Sequence, residues 1–235
     1  MIISQARTAI ILALLILWST ALPPSSGAET ANGCHCFQDR TYNPANKFAA
    51  DEYILATSFN SLISNHFNIP KREIVMLKMK GGIGHLDLLT SLYVAKISKT
   101  NLQGLISLRQ RKISWQKILN KAAYEQAAKT DPHLAALGSG ASLELIGIKI
   151  ADSVVAEFYT LELSSLEELR SAGLNEKEMA LVLILSRTKD KKPAELAQKY
   201  KKGESWSQIA NGLGVEPGAA GKLIIQHRNG KDPAE

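Results

Sequence analysis

The sequence predicts an all-α protein made of two tandem copies of a short-helix bundle, the second ending in a helix-turn-helix-like unit. Leu, Ile, Ala, Lys and Glu dominate, and most of these residue types favour helix. Runs in which Val, Thr or aromatic residues alternate with polar ones are nearly absent, so little or no sheet is expected. Residues 91–120 align without a gap onto residues 182–211, and this offset of 91 residues predicts an internal repeat.

Residues 1–28 have the three parts of a cleaved signal peptide. Arg7 is the only charge before ten unbroken apolar residues, 9–18, and small residues precede a predicted cut after Ala28. The apolar run is shorter than the roughly 20 residues that cross a bilayer, which argues against an uncleaved anchor. Cys34 lacks the sequence context of a lipoprotein signal. We therefore expect an exported protein, periplasmic or, as the alternative, fully secreted.

The predicted mature chain has 27 Lys and Arg against 22 Asp and Glu, a formal charge of +5. Its hydrophobic content is ordinary, which is typical of a globular and not of a disordered chain. No apolar run after the signal peptide is long enough to span a membrane. A soluble protein without a transmembrane segment in the mature chain is expected.

Residues 29–50 are expected to be irregular and contain the only two cysteines, Cys34 and Cys36, on either side of His35. Thiols of exported proteins tend to pair, but a bridge between residues i and i+2 closes a small, strained and reducible ring. Three alternatives stay open: a structural disulfide, a redox or soft-metal site for Cu(I) or zinc, and pairing between molecules. No cofactor is predicted.

Repeat one is placed at residues 51–137 and repeat two at 141–228, joined by the glycine-rich residues 138–140. The lead helix of repeat two, 142–160, corresponds to 51–66 in repeat one. The next helix ends in each repeat at a glycine, Gly82 or Gly173, as the left-handed C-terminal position of a helix favours. A frayed tail is expected at 229–235.

The central helix of each repeat, 85–97 or 176–187, is apolar almost all round in repeat two and should be buried. Asp87 aligns with Glu178 within this helix. A third helix follows at 102–111 or 193–201. The fourth begins at Ser114 or Ser205, whose hydroxyl can cap free N–H groups.

Trp115 and Trp206 occupy the first turn of the fourth helix and are interpreted as structural anchors of the repeat, since a tryptophan buries a large apolar area. Contact with a ligand is the lesser alternative.

After Trp206, the spacing of Ala210, Gly214 and Leu223 is typical of a helix-turn-helix. The would-be recognition helix, 217–227, offers mainly glycine and alanine where base-reading side chains should stand. An exported protein also does not meet the chromosome. We interpret the segment as a packing unit, and DNA as an unexpected partner.

Residues 88–124 contain no acid but seven basic residues. These are the candidate anion-binding residues: Lys96, Lys99, Arg109, Arg111, Lys112, Lys117 and Lys121. The favoured interpretation is a solvated helix surface that only keeps the protein soluble. The alternative is a binding surface whose partner is unknown, with anionic lipid headgroups, acidic polymers or an acidic protein as the candidates.

No catalytic motif is present. His66, His85, His133 and His227 belong to no metal-binding or catalytic pattern, and the glycines at 81–84 fit a turn between helices better than a nucleotide loop. No general acid and base pair can be nominated, so no catalytic residue is predicted and an enzyme is the less favoured reading.

Residues 36–40, residues 53–56 and the repeated Gly-x-Ser-Trp-x-x-Ile-Ala pattern resemble a group of exported proteins of Gram-negative bacteria. In repeat one Lys112 and Ile113 replace the residues at 203 and 204. The resemblance implies an envelope location and helical repeats, and it brings no activity.

The sequence thus favours a non-enzymatic helical binding or structural protein of the cell envelope. A small thiol redox or metal-handling protein that uses Cys34 and Cys36 is the alternative. Nucleic-acid binding through the helix-turn-helix-like segment is a minor one.

Overall fold

The computed structural model describes residues 37–228, and within them the all-α prediction is confirmed, since every regular element is helical. A 3-10 turn at Pro44–Asn46 precedes thirteen α-helices. The first seven are α1 (Asp51–Phe67), α2 (Lys71–Gly81), α3 (His85–Ser98), α4 (Leu102–Gln110), α5 (Trp115–Leu119), α6 (Ala122–Thr130) and α7 (Pro132–Gly138). The next six are α8 (Leu143–Tyr159), α9 (Leu163–Ser171), α10 (Glu176–Thr188), α11 (Pro193–Lys201), α12 (Trp206–Gly212) and α13 (Ala220–Arg228).

Local sequence signals fix several helix ends. Ser114 Oγ accepts from Lys117 N at the start of α5, and Ser205 Oγ accepts from Gln208 N at the start of α12. These hydroxyls satisfy N–H groups that have no partner within the helix. The predicted serine caps are therefore confirmed.

Left-handed backbone recurs at equivalent points of the chain. Gly82 ends α2 with φ +58°, and Gly173 follows α9 with φ +88°. Lys112 (φ +58°) and Gly203 (φ +92°) are likewise 91 residues apart. A side chain raises the energy of the left-handed backbone conformation. Lys112 therefore carries backbone strain that Gly203, which has no side chain, avoids.

Helices α1 to α7, here the first half, correspond in order to the second half, α8 to α13. The pairs are α1 with α8, α2 with α9, α3 with α10, α4 with α11, and α5 with α12. After that the halves differ, because α6 and α7 stand where the second half has α13 alone.

Within the described residues, the two halves do not form separate cores. Helix α3 packs more on α8 than on any helix of its own half, and α10 packs most on α1. One continuous cluster of buried side chains therefore includes residues from both halves. Both central helices are apolar on nearly all sides, so each can accept a neighbour from either half.

Helices α3 and α8 run in the same direction. Near their starts, a Cβ on Gly147 would lie 3.2 Å from the Leu86 side chain, so the helices touch there. Near their ends, Lys96 Nζ donates to Glu157 Oε1 at 2.9 Å. At both contacts the residue of α8 follows the residue of α3 by 61 positions. The axes of α3 and α8 therefore stay together along most of their length.

The segment before α1 is tied to the second half. Asp51 accepts from the backbone N–H groups of Trp206 (3.0 Å) and Ser207 (2.8 Å), so it caps α12 across the chain. Lys47 O accepts from the hydroxyls of Ser205 and Ser207. The described end of the predicted irregular segment is thus fixed by hydrogen bonds to the start of α12.

The helix-turn-helix-like unit needs a correction. Gly214 forms the predicted turn with φ +70°, but the last helix begins at Ala220 and not at residue 217. Residues 217–219 form a turn instead, with Ala219 N donating to Glu216 O. Helix α13 packs chiefly on α1 and also on α10, so its main partner is not α12.

Within residues 37–228, no helix combines the length and the apolarity needed to cross a membrane.

Candidate functional site

The seven candidate anion-binding residues fall into two groups. Lys96 and Arg109 each form an ion pair, although Lys96 is itself exposed. The other five are exposed and form no ion pair with any residue between 37 and 228. These five are Lys99, Arg111, Lys112, Lys117 and Lys121.

Arg109 has a structural role. Its guanidinium donates to both carboxylate oxygens of Asp87, at 2.7 and 3.1 Å, and its Cζ lies 5.2 Å from the centre of the Trp115 ring. Trp115 Nε1 donates to the same carboxylate at 2.8 Å. The prediction that Arg109 faces an anionic partner is therefore wrong, because Asp87 already neutralises it.

Lys96 is held at the other end of α3. Its ammonium contacts Glu157 and His66 and lies 5.8 Å from the centre of the Phe67 ring. Burial opposes ionisation of Glu157, but the Lys96 and His66 charges outweigh it and hold the Glu157 pKa below its ordinary value. Lys96 thus joins the two halves and is not a free cation.

The remaining five residues lie at two different places. Since Arg109, near the end of α4, contacts Asp87, near the start of α3, these helices are antiparallel. A helix of the length of α3 spans roughly 20 Å, so Lys99 lies far from Arg111. The exposed candidates therefore do not share one surface.

Arg111, Lys112, Lys117 and Lys121 follow one another from the end of α4 to the start of α6. The ends of α2 and α4 meet, because Gln110 Nε2 donates to Gly81 O at 3.0 Å. Exposed Lys80 of α2 is thereby brought to the same place. We call Lys80, Arg111, Lys112, Lys117 and Lys121 the basic end.

Trp206 repeats the bond that Trp115 makes. Its Nε1 donates at 3.0 Å to Glu178, which lies 91 residues after Asp87. Glu178 is 5% exposed and also accepts from Asn175 N, so its buried carboxylate is satisfied without a cation. Tyr200, at the position of Arg109, stacks on the Trp206 ring with the centroids 4.3 Å apart.

Trp115 and Trp206 are 4% and 1% exposed, so their predicted role as buried anchors is confirmed. Neither ring is available to a ligand.

A polar stripe on α1 holds two lysines of α2 that the sequence does not single out. Lys71 Nζ donates to Thr57 O, Thr57 Oγ1 and Ser61 Oγ at 3.0, 2.6 and 2.8 Å. Lys78 Nζ donates to Asn60 Oδ1 at 2.6 Å. No carboxylate bonds to either ammonium among the described residues, and burial lowers both pKa values, that of Lys78 to about 8.

Beside Lys78, the first residues of the two central helices meet. His85 Nε2 lies 3.3 Å from Glu176 Oε1. Burial opposes ionisation of Glu176, but the His85 hydrogen bond and charge hold the Glu176 pKa below its ordinary value. The Glu176 carboxylate is therefore committed to His85, although its charge still reaches Lys78.

An open groove of about 480 Å³ lies between α9 and α11. Its lining includes Glu168, Leu169, Ala172, Glu195, Ala197 and Lys201. In the first half, the positions of Ala172 and Lys201 are taken by Gly81 and Gln110, which bridge α2 and α4. The first half therefore has a hydrogen bond at these positions where the second half has a groove.

One side of the last helix of the helix-turn-helix-like segment is covered, although Lys222, Ile225 and Gln226 on this helix are exposed. A Cβ on Gly221 would lie 2.7 Å from Ser61 Oγ and 3.0 Å from Thr57 O, so this side of α13 is pressed onto α1. Gly218 faces Tyr53 in the same way. The interpretation as a packing unit agrees with these contacts, since a recognition helix must be exposed.

The signal peptide, the tail 229–235 and the Cys34, His35 and Cys36 group lie outside the described residues, so the thiol and metal hypotheses stay predictions. Among residues 37–228, no group of three or more His, Cys, Asp or Glu is placed to hold a metal ion.

The chain matches no protein-family model, no curated protein and no solved structure.

Proposed function

We propose that this is an exported, non-enzymatic helical protein of the cell envelope that binds an anionic partner through its basic end. The observation that carries the proposal is the group of five exposed cations, each without an ion pair among the described residues. Elsewhere in the fold, cations such as Arg109 and Lys96 have acidic partners.

The distribution of charge supports this proposal. Residues 37–140 contain fourteen Lys and Arg against seven Asp and Glu, whereas residues 141–228 contain twelve of each. The first half therefore carries the excess positive charge. Such an excess attracts anions over several ångströms and is weakened by salt.

The equivalent end of the second half serves as an internal comparison. The positions of Lys112, Lys117 and Lys121 are occupied there by Gly203, Gln208 and Gly212. Those residues carry no charge. These three cations are therefore not required by the helical framework that the halves share, whereas the position of Arg111 is occupied by another cation, Lys202.

Binding is tested with the mature protein and vesicles of anionic or zwitterionic phospholipid, and with soluble polyphosphate, over a salt series. We expect binding to an anionic probe at low salt that weakens as salt rises. Absence of binding to every anionic probe at low salt would mean that the basic end is only a solvated surface.

Two matched triple variants separate a site from net charge. The first changes Arg111→Glu, Lys117→Glu and Lys121→Glu. The second makes the same change of charge at exposed Lys189, Lys192 and Lys202 of the second half. We expect the first variant to lose binding and the second to keep most of it, and equal losses would contradict a localised site.

Export has its own test. N-terminal sequencing of the protein recovered from the periplasm or the medium should find Glu29 as the first residue.

We also infer that the two halves descend from one ancestral sequence. The inference rests on the acid and tryptophan pairs, the serine caps and the left-handed positions that recur 91 residues apart.

A further inference from the structure

The groove between α9 and α11 has one acidic residue on each wall. Glu168 of α9 and Glu195 of α11 line it, together with the buried apolar residues Leu169 and Ala197. Its volume of about 480 Å³ is within the range of pockets that hold a ligand. Both acids are exposed, and neither carboxylate forms an ion pair or a hydrogen bond with a residue between 37 and 228. The groove therefore offers two uncompensated negative charges to an occupant.

These acids are specific to the second half. The positions of Glu168 and Glu195 are occupied in the first half by Leu77 and Gly104, which carry no charge. The basic end shows the reverse pattern, because three of its cations have uncharged counterparts in the second half. Unpaired acids thus stand between α9 and α11, whereas unpaired cations stand at the ends of the equivalent helices, α2 and α4.

The occupant that fits this groove has lysine-like side chains. An acid on each wall attracts an ammonium group, and the apolar residues of the lining can receive the methylene groups that carry it. The basic end presents side chains of this kind, each exposed and without an ion pair among the described residues. Every copy of the chain therefore carries both the groove and a surface of complementary charge.

We propose that copies of this chain associate head to tail, with the basic end of one copy docked in the groove between α9 and α11 of the next. This inference rests on the proposed function, because it names the anionic partner of the basic end as a second copy. The two surfaces differ, so the contact is heterologous and extends into open chains or closes into a ring. Lys201 also lines the groove and repels a basic occupant, which weakens the contact.

Sedimentation velocity of the full mature protein, over a series of protein and salt concentrations, measures the association. We expect species larger than a monomer at low salt that dissociate as salt rises, because salt screens the attraction. A protein that stays monomeric at low salt overturns the inference.

Two matched double variants locate the contact. Glu168→Lys with Glu195→Lys should raise the dissociation constant at least about tenfold, because like charges then meet. The same reversal at Glu144 and Glu216, which are exposed and do not line the groove, should change it less than about threefold. Equal effects of the two pairs contradict docking in the groove.

A mixing experiment tests the pairing of the two surfaces directly. The groove variant Glu168→Lys, Glu195→Lys and the triple basic-end variant described above should each stay monomeric. Their equimolar mixture should associate, because each reversed surface then meets one of opposite charge. A mixture that stays monomeric, although circular dichroism shows both proteins folded, overturns the pairing.

Vesicle binding separates this inference from the proposed function. The groove variant keeps its basic end and should still bind anionic vesicles at low salt. Vesicle binding by a protein that never self-associates would overturn the present inference alone. Absence of both would overturn the proposed function as well.

Discussion

The two halves place the same hydrogen bond at the same point but stabilise the acid differently. In the first half, Asp87 accepts from Trp115 and is neutralised by Arg109. In the second, Glu178 accepts from Trp206 and Asn175, and a stacked Tyr200 replaces the arginine. The comparison teaches that the hydrogen bond between the acid and the tryptophan is the shared element. The carboxylate is neutralised by an arginine in the first half and stabilised by hydrogen bonds without a cation in the second.

The largest expected effect concerns the dependence of one half on the other. Residues 37–140 or 141–228 produced alone should lack a cooperative unfolding transition, because α3 loses α8 and α10 loses α1. Mixing the two fragments should restore helix, measured by far-ultraviolet circular dichroism during urea titration. Cooperative unfolding of either fragment alone would mean that the halves are independent domains after all.

The tryptophan bonds should differ in their contribution to stability. Trp206→Phe removes the indole donor from Glu178, a carboxylate that is 5% exposed, and should lower the free energy of unfolding by about 2 kcal/mol. Trp115→Phe leaves Asp87 bonded to Arg109 and should cost about 1 kcal/mol. Equilibrium urea unfolding of both variants measures the difference, and equal losses would contradict the role assigned to Arg109.

The burial of Lys78 makes the stability of the fold depend on pH. The Lys78 pKa in the folded protein is about 8, below the ordinary value of 10.5. Between pH 8 and 10.5 the unfolded chain therefore binds more protons than the folded one. The free energy of unfolding should therefore increase as pH rises from 8 to 10.5. Lys78 should contribute about 3 kcal/mol to this increase at most.

Urea unfolding across that pH window measures the gain. Asn60→Asp should reduce it, because a carboxylate stabilises the charged amine of the folded protein. The same pH dependence in both proteins would show that another group is responsible.

The smallest effect is expected where the backbone is left-handed in both halves. Gly203→Ala introduces a side chain at φ +92° and should cost about 1 kcal/mol. Lys112→Gly removes a side chain at φ +58° and should stabilise the fold. The gain should be only a few tenths of a kcal/mol, because glycine also loses more entropy on folding. Thermal unfolding of the two variants should show shifts of opposite sign.

Much of the local structure could be predicted from the sequence, because it depends on near neighbours in the chain. The serine caps at Ser114 and Ser205 and the glycine at Gly82 are set by backbone groups within a few residues. The alignment of Asp87 with Glu178 also pointed to the positions that bond the two tryptophans.

The pairing of helices could not be predicted in this way. A helix that is apolar on nearly all sides, such as α10, does not specify which neighbour covers it. The same limit applies to the candidate site. Lys80 joins the basic end only because α2 and α4 meet, and Lys78 looks like an ordinary solvated lysine until α1 and α10 surround it.

The contact between His85 and Glu176 has a consequence for how the two halves came to differ. These residues occupy equivalent positions of the two aligned halves. In a homodimer of the single ancestral chain that we infer, the residue at this position would face its own copy, and opposite charges could not be placed there. Under the inferred duplication, each side could then change alone, and a histidine could be set against a glutamate.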